Sequence, residues 1–194
     1  MTARKPLIAG NWKMFKTGGE AVETAENLVQ RVRGVDRAEV MIAPPFTALA
    51  QVSAVVQGTD VALGAQNLHW EAEGAFTGEI SAAMLCAAGC TYVIIGHSER
   101  RQFFGETDET VNRKIRATLA AGLSPVFCIG ETEAQREAGD VTAAKRTVLR
   151  ALEIAPNYDE ALELLLKLRL GGDDEGVAPR RDAGAASATG GFRP

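Results

Sequence analysis

Basic runs, long apolar runs and paired cysteines are all missing from this chain, and each absence removes a class of function. Lysine and arginine total 21 against 25 aspartates and glutamates, for a net charge of −4. Neutralising a nucleic-acid backbone needs a basic stripe, and no stretch here gathers one, so no nucleic-acid partner is expected. No apolar run approaches the roughly 20 residues that span a bilayer, and the N-terminus has no basic segment leading into a long apolar core. No membrane partner is expected either. The three cysteines, Cys86, Cys90 and Cys128, are odd in number and lack metal-ligand neighbours. They read as small buried apolar side chains of a reduced, cytoplasmic protein, with no metal site.

What is present is enough apolar residue, 46% of 194, to bury a sizeable core in one domain with a tail. Apolar runs recur at Leu7 to Ala9, Val40 to Ala43, Val61 to Leu63, Tyr92 to Ile95 and Val126 to Ile129, each ending at Gly or Pro. Between them, Glu20 to Val32, Thr47 to Val56, Ser81 to Ala88 and Thr107 to Ala121 have helical character. Thr107 can cap the last of these, Asp108 and Glu109 suit its positive N-terminal pole, and Gly122 can end it. Strands alternating with helices at this spacing describe βα units whose strands pair in parallel through right-handed crossovers. The fold class is therefore α/β.

Beyond Asp140 no further strand is evident. Residues 143–170 are rich in Ala, Leu, Glu, Lys and Arg around one Pro-Asn-Tyr break, which reads as a helical hairpin. Residues 171–194 carry almost no large apolar side chain, and such a tail is expected to be disordered.

Two strands run directly into chemistry. Tyr92-Val93-Ile94-Ile95-Gly96 leads into His97-Ser98-Glu99-Arg100-Arg101, and Leu7-Ile8-Ala9-Gly10 leads into Asn11-Trp12-Lys13. The carboxyl ends of parallel strands are where α/β enzymes place reactive groups, so one site built from loops at one face of a sheet is expected. Position alone leaves His97 open as a structural histidine and Lys13 open as a solvated surface lysine.

Six segments, taken together, resemble triose-phosphate isomerase in order and spacing. They are Asn11-Trp12-Lys13-Met14, Ala43-Pro44-Pro45-Phe46, Gly64-Ala65-Gln66-Asn67, Gly78-Glu79-Ile80-Ser81, Ile95-Gly96-His97-Ser98-Glu99-Arg100-Arg101 and Cys128-Ile129-Gly130-Glu131. The resemblance covers residues 1–142. It implies a partial (β/α) barrel with about five of the family's eight parallel strands, and a reaction interconverting dihydroxyacetone phosphate and glyceraldehyde 3-phosphate without a cofactor.

Moving a carbonyl to the adjacent carbon requires removing a proton beside it and stabilising the resulting enediolate. By resemblance, His97 is the electrophile, kept neutral by a helix N-terminus, a property known for this enzyme family and not read from this sequence. Lys13 would place positive charge against the anionic substrate, Asn11 would hold Lys13 and a substrate oxygen, and Glu99 would orient Lys13 or His97. Cys128 would pack beneath the site. The Asn67 to Ser81 loop resembles the one by which each subunit reaches its partner in a homodimer, with Thr77 lying against the other subunit's site. Trp70 and Phe76 are large apolar groups for an exposed loop and fit such an interface.

The family's general base is a glutamate in a segment resembling Tyr-Glu-Pro-Val-Trp, which does not follow Asp140, and the phosphate-gripping loops are likewise not found. Glu153, Glu160 and Glu163 lie in the helical stretch and are not candidates for that base. Five strands leave Leu7 to Ala9 and Val126 to Ile129 as open sheet edges. Residues 143–170 loosely resemble a partial tetratricopeptide repeat through Ala144, Val148, Ala151, Pro156, Ala161, Leu162 and Leu165, and two helices capping the open sheet are one reading of it. The alternative to an isomerase is an inactive truncated or fused fragment that acts, if at all, as an interaction module.

Overall fold

The computed structural model describes residues 5–130. The helical hairpin expected over 143–170, the disordered tail expected over 171–194, and the residue 142 boundary all lie outside them.

In the described chain every strand is followed by helix before the next strand, with two helices in succession before the last one. Strand β1 spans Leu7–Asn11, followed by α1 at Gly18–Val32, β2 at Glu39–Ala43 and a short 3₁₀ turn at Phe46–Ala48 that runs into α2 at Leu49–Val56. Then come β3 at Val61–Ala65, α3 at Ala82–Ala87, β4 at Tyr92–Ile95, α4 at Ser98–Phe103, α5 at Asp108–Ala120 and β5 at Ser124–Phe127. The strands form one sheet in sequence order, every neighbouring pair parallel. That is the arc of a barrel, and its edges are β1 and β5 among the described residues.

Local sequence explains the elements. Helix α1 starts two residues before the expected Glu20, across the poorly helical Gly18-Gly19, because the Glu20 carboxylate accepts from the Thr17 amide at 2.9 Å and the Thr17 hydroxyl at 3.0 Å. At α5 the Thr107 hydroxyl accepts from the Thr110 amide at 3.3 Å, and Gly122 takes a left-handed φ of 74° after the last turn.

Strand β5 begins two residues before the expected run. Ser124 and Cys128 donate their amides to the Thr91 and Ile95 carbonyls at 2.9 and 2.8 Å, so alternation turns the nitrogen of Pro125 away from β4. A proline costs the ladder nothing there.

The core lies between the sheet's convex face and the helices. Ile42, Leu63, Val93 and Ile95 pack with Ala21, Val52, Leu85, Val111 and Ile115. The opposite, concave face carries a smaller cluster of Met41, Ala43 and Ile94, with Tyr92, Val126 and Cys128 half-buried beside it. Among the described residues nothing pairs with the outer edge of β1, and Ile8 there is 60% exposed. Of the cysteines, Cys90 is buried and Cys128 half-buried, whereas Cys86 is exposed on α3, contrary to the expectation of three buried thiols. Its position on a six-residue helix turns its side chain away from the core that Leu85 fills.

Candidate active site

The carboxyl ends of β1 and β4 bring the expected residues to one place. At the end of β1, Asn11 Oδ1 accepts from the Lys13 amide at 2.9 Å, closing a tight turn in which Lys13 has φ of +53°. A side chain held in that left-handed region stores strain that costs about 1–3 kcal/mol and persists only where its surroundings over-determine it. Here the Asn11 contact and Gln66 do so. Gln66, one residue past β3, donates through Nε2 to the Lys13 carbonyl at 2.8 Å and the Ala43 carbonyl at 2.9 Å. One amide thus clamps the β1 and β2 loops together.

At the end of β4, Gly96 takes φ of +72° and turns the chain so that His97 sits at the N-cap of α4. Arg101 fixes that turn by donating from Nε to the Gly96 carbonyl at 3.0 Å and from Nη1 to Asp108 at 2.8 Å. His97 Nδ1 accepts from the Glu99 amide at 3.2 Å. A nitrogen that accepts an N–H holds a lone pair, so the imidazole proton is on Nε2, free to donate to a bound oxygen.

Glu99 joins the two ends. Its Oε1 accepts from Lys13 Nζ at 2.5 Å, across 86 positions of sequence, while Oε2 stands 3.6 Å from His97 Nδ1, beyond a good hydrogen bond. The hydrogen bond from Lys13, with the nearby positive charge, holds the Glu99 carboxyl below its ordinary range. The cluster is therefore an ammonium, a carboxylate and an imidazole N–H donor side by side, able to polarise a carbonyl and neutralise a developing oxyanion. Asn11, Lys13, His97 and Glu99 are all brought together. Thr77 is exposed on the 67–81 loop and makes no hydrogen bond to these four.

Three contributing residues carry no sign of their role in the sequence. Gln66 lay inside a recognised segment but carried no assigned role. Glu106 and Lys114 resemble ordinary surface charges, yet both are buried. Glu106 Oε1 accepts from Lys114 Nζ and from Arg100 Nε, and Lys114 also donates to Asn67 Oδ1 at 2.7 Å. This cluster ties α4, which carries His97 and Glu99, to α5 and to the root of the 67–81 loop. Burial alone would raise the Glu106 carboxyl, but the bonds from Lys114 and Arg100 outweigh it and hold it below the usual range.

The family model described as triosephosphate isomerase matches residues 6–161, further along the chain than the motifs alone reach. The chain is 58% identical over 137 residues to the triosephosphate isomerase of Citrifermentans bemidjiense, covering 71% of this chain and 55% of that protein. It is 55% identical over 158 residues to that of Chloroflexus aurantiacus, covering 79% and 62% respectively. A crystal structure of triosephosphate isomerase from Bartonella henselae superposes with a TM-score of 0.67 at 37% identity, covering 76% of this chain and 61% of that one. The chain thus spans between about half and two thirds of the length of the relatives it matches.

Proposed function

The chain belongs to the triosephosphate isomerase family, and from that premise we propose that Asn11, Lys13, His97 and Glu99 form the electrophilic half of a site that interconverts dihydroxyacetone phosphate and glyceraldehyde 3-phosphate. The observation that carries this reading is the convergence of Lys13 and His97 on Glu99 from two strands. His97 Nε2–H would donate to the substrate carbonyl oxygen as a proton leaves the adjacent carbon, and the Lys13 ammonium would offset the negative charge of phosphate and enediolate. Glu99 would hold the ammonium in place. A carboxylate base to take the carbon-bound proton is the part these residues do not include, and the family resemblance puts it beyond the fifth strand. Supplying such a base is typically worth about a hundredfold to ten-thousandfold in rate.

The reading includes a homodimer through the 67–81 loop, with Thr77 against the partner's site. Large apolar side chains stand exposed in the segments that follow β1, β3 and β4. Met14 is 94% exposed after β1, and Phe103 and Phe104 are 67% and 66% exposed at the end of α4. Phe76 is exposed beside Thr77. Such a set is large for a free surface and suits a covered one. A cytoplasmic location fits this role, and no helix among the described residues is long and apolar enough to cross a membrane.

The test is isomerisation of glyceraldehyde 3-phosphate by the purified chain beside a His97→Gln variant. Activity that disappears in the variant supports the reading and shows that a base is present. Activity equal in both belongs to a contaminant. A folded chain that neither turns over nor binds the triose phosphate, by calorimetry, overturns the reading in favour of an inactive fragment.

A further inference from the structure

The 67–81 loop is organised around a histidine that the isomerase site does not use. Its neck is closed by the His69 amide, which donates to the Ile80 carbonyl at 2.8 Å, and by a parallel bridge between His69 and Ser81. Leu68 beside it is fully buried and anchors the root in the core. The imidazole of His69 stacks on Trp70 at 4.3 Å between ring centroids and lies 4.3 Å from the ring of Phe76. Phe76 is the residue before Thr77, so this ring contact sets the direction in which the loop tip is presented. His69 Nδ1 accepts from the Glu71 amide at 3.2 Å, which fixes the first turn of the loop.

That last bond works with one protonation state only. An imidazolium carries an N–H on both nitrogens, so no rotation of the ring can return an acceptor to the Glu71 amide, and two donors would face each other. The π faces of Trp70 and Phe76 would favour a cation in isolation. One of them is already engaged, because the Arg113 guanidinium of α5 stands 5.5 Å from the Trp70 ring centroid. A second positive charge on the same aromatic group meets that first one, and Glu109, the α5 carboxylate that accepts from Arg113 at 2.8 Å, is committed to the guanidinium. The carboxylates of the loop itself, Glu71, Glu73 and Glu79, are exposed and screened by solvent.

We infer that His69 is a pH-sensitive latch on the 67–81 loop: neutral, it holds the tip that presents Thr77, and protonated, it releases the Glu71 amide and weakens self-association of the chain. This rests on the dimer reading above.

The experiment uses the full chain at about pH 8 and about pH 5.5, bracketing the range in which imidazoles usually titrate. Sedimentation equilibrium reads self-association, and the Glu71 amide resonance reads the latch directly. The expected result is association at least about tenfold weaker at the lower pH, with the Glu71 amide shifting along the same titration curve. His69→Gln, which keeps a neutral acceptor, should lose the pH dependence of both. The chain has 2 histidines, so the imidazole resonances that vanish in His69→Gln are those of His69, and theirs is the titration curve that the Glu71 amide and the association must follow. Association that is equal at both pH values, or a Glu71 amide that does not move, overturns the latch while leaving the dimer standing. A chain monomeric throughout overturns the dimer reading and the effect on association together, and the Glu71 amide then decides the latch by itself.

Discussion

Lys13 and Glu99 meet at 2.5 Å although one follows the first strand and the other the fourth, and the same Glu99 donates its amide to His97. A single residue thus sets both the position of the ammonium and the tautomer of the imidazole. The two contacts use different parts of Glu99, so they are separable. Glu99→Gln should leave the backbone bond to His97 intact and weaken only the hold on Lys13. The expected outcome is binding of dihydroxyacetone phosphate weakened by no more than about fivefold with the fold unchanged, since an ion pair this exposed contributes little. Calorimetric titration beside thermal melting checks it. Because the Glu99 carboxyl is held low by Lys13, its contribution is present above the ordinary carboxylate range and is lost as pH falls through the lowered value.

Strain at Lys13 predicts a trade between stability and function. With φ of +53°, this position suits glycine better than any residue with a Cβ. Lys13→Gly should raise unfolding free energy by about 1 kcal/mol while abolishing triose phosphate binding, whereas Lys13→Ala should lose binding without the gain. Urea unfolding of the two variants side by side distinguishes strain from charge.

Gln66 supplies a third expectation. Its amide nitrogen serves the Lys13 and Ala43 carbonyls at once. Gln66→Glu is nearly isosteric but sets a carboxylate oxygen against two carbonyl oxygens. A loss of about 1–3 kcal/mol is expected, with Gln66→Ala at the lower end. Faster hydrogen exchange around Trp12 to Phe15 in Gln66→Glu would locate the damage in the first loop.

The buried Glu106 cluster should govern acid stability. Its carboxyl is held low by Lys114 and Arg100, so its contribution is complete above the ordinary carboxylate value of about 4.3 and is lost as pH falls through the depressed one. Glu106→Ala should cost about 3–5 kcal/mol at neutral pH, because it leaves Lys114 buried without its counter-charge. The double variant Glu106→Leu with Lys114→Met should recover much of that loss. Equal stability of the single variant and the native chain in urea would show that the cluster is solvated.

Strand β4 and the histidine after it were legible in sequence because a β-branched run ends at Gly96, where only a positive φ makes the turn. The start of β5 was less so, since Pro125 argues against a strand until its neighbours show that its nitrogen faces away from β4. Thr17 and Glu20 hid the start of α1 behind two glycines. Glu106 and Lys114 could not be read at all: burial of a charge depends on Arg100 and Asn67 arriving from other elements, and no local pattern records that. The pairing of Lys13 with Glu99 needed the resemblance to be suspected and the parallel sheet to be explained.

The thiols offer a test of the helical layer. Burial, with Cys86 adding a little, pushes the Cys90 thiol up to about 12, and burial also raises Cys128, opposed in part by Arg101. The thiolate is the reacting species, so at about pH 8 a thiol raised that far has a reactive fraction on the order of one in ten thousand. Cys86 is exposed on α3. Mass spectrometry after brief alkylation of the native chain should find one modified site, at Cys86, and three after unfolding. Cys86→Ser should abolish the fast reaction without changing stability by more than about 0.5 kcal/mol, as expected for a surface position. Fast labelling of Cys90 would mean that α3 lifts from the sheet well below the free energy of global unfolding, and that the layer between β3 and β4 is the weakest part of the arc.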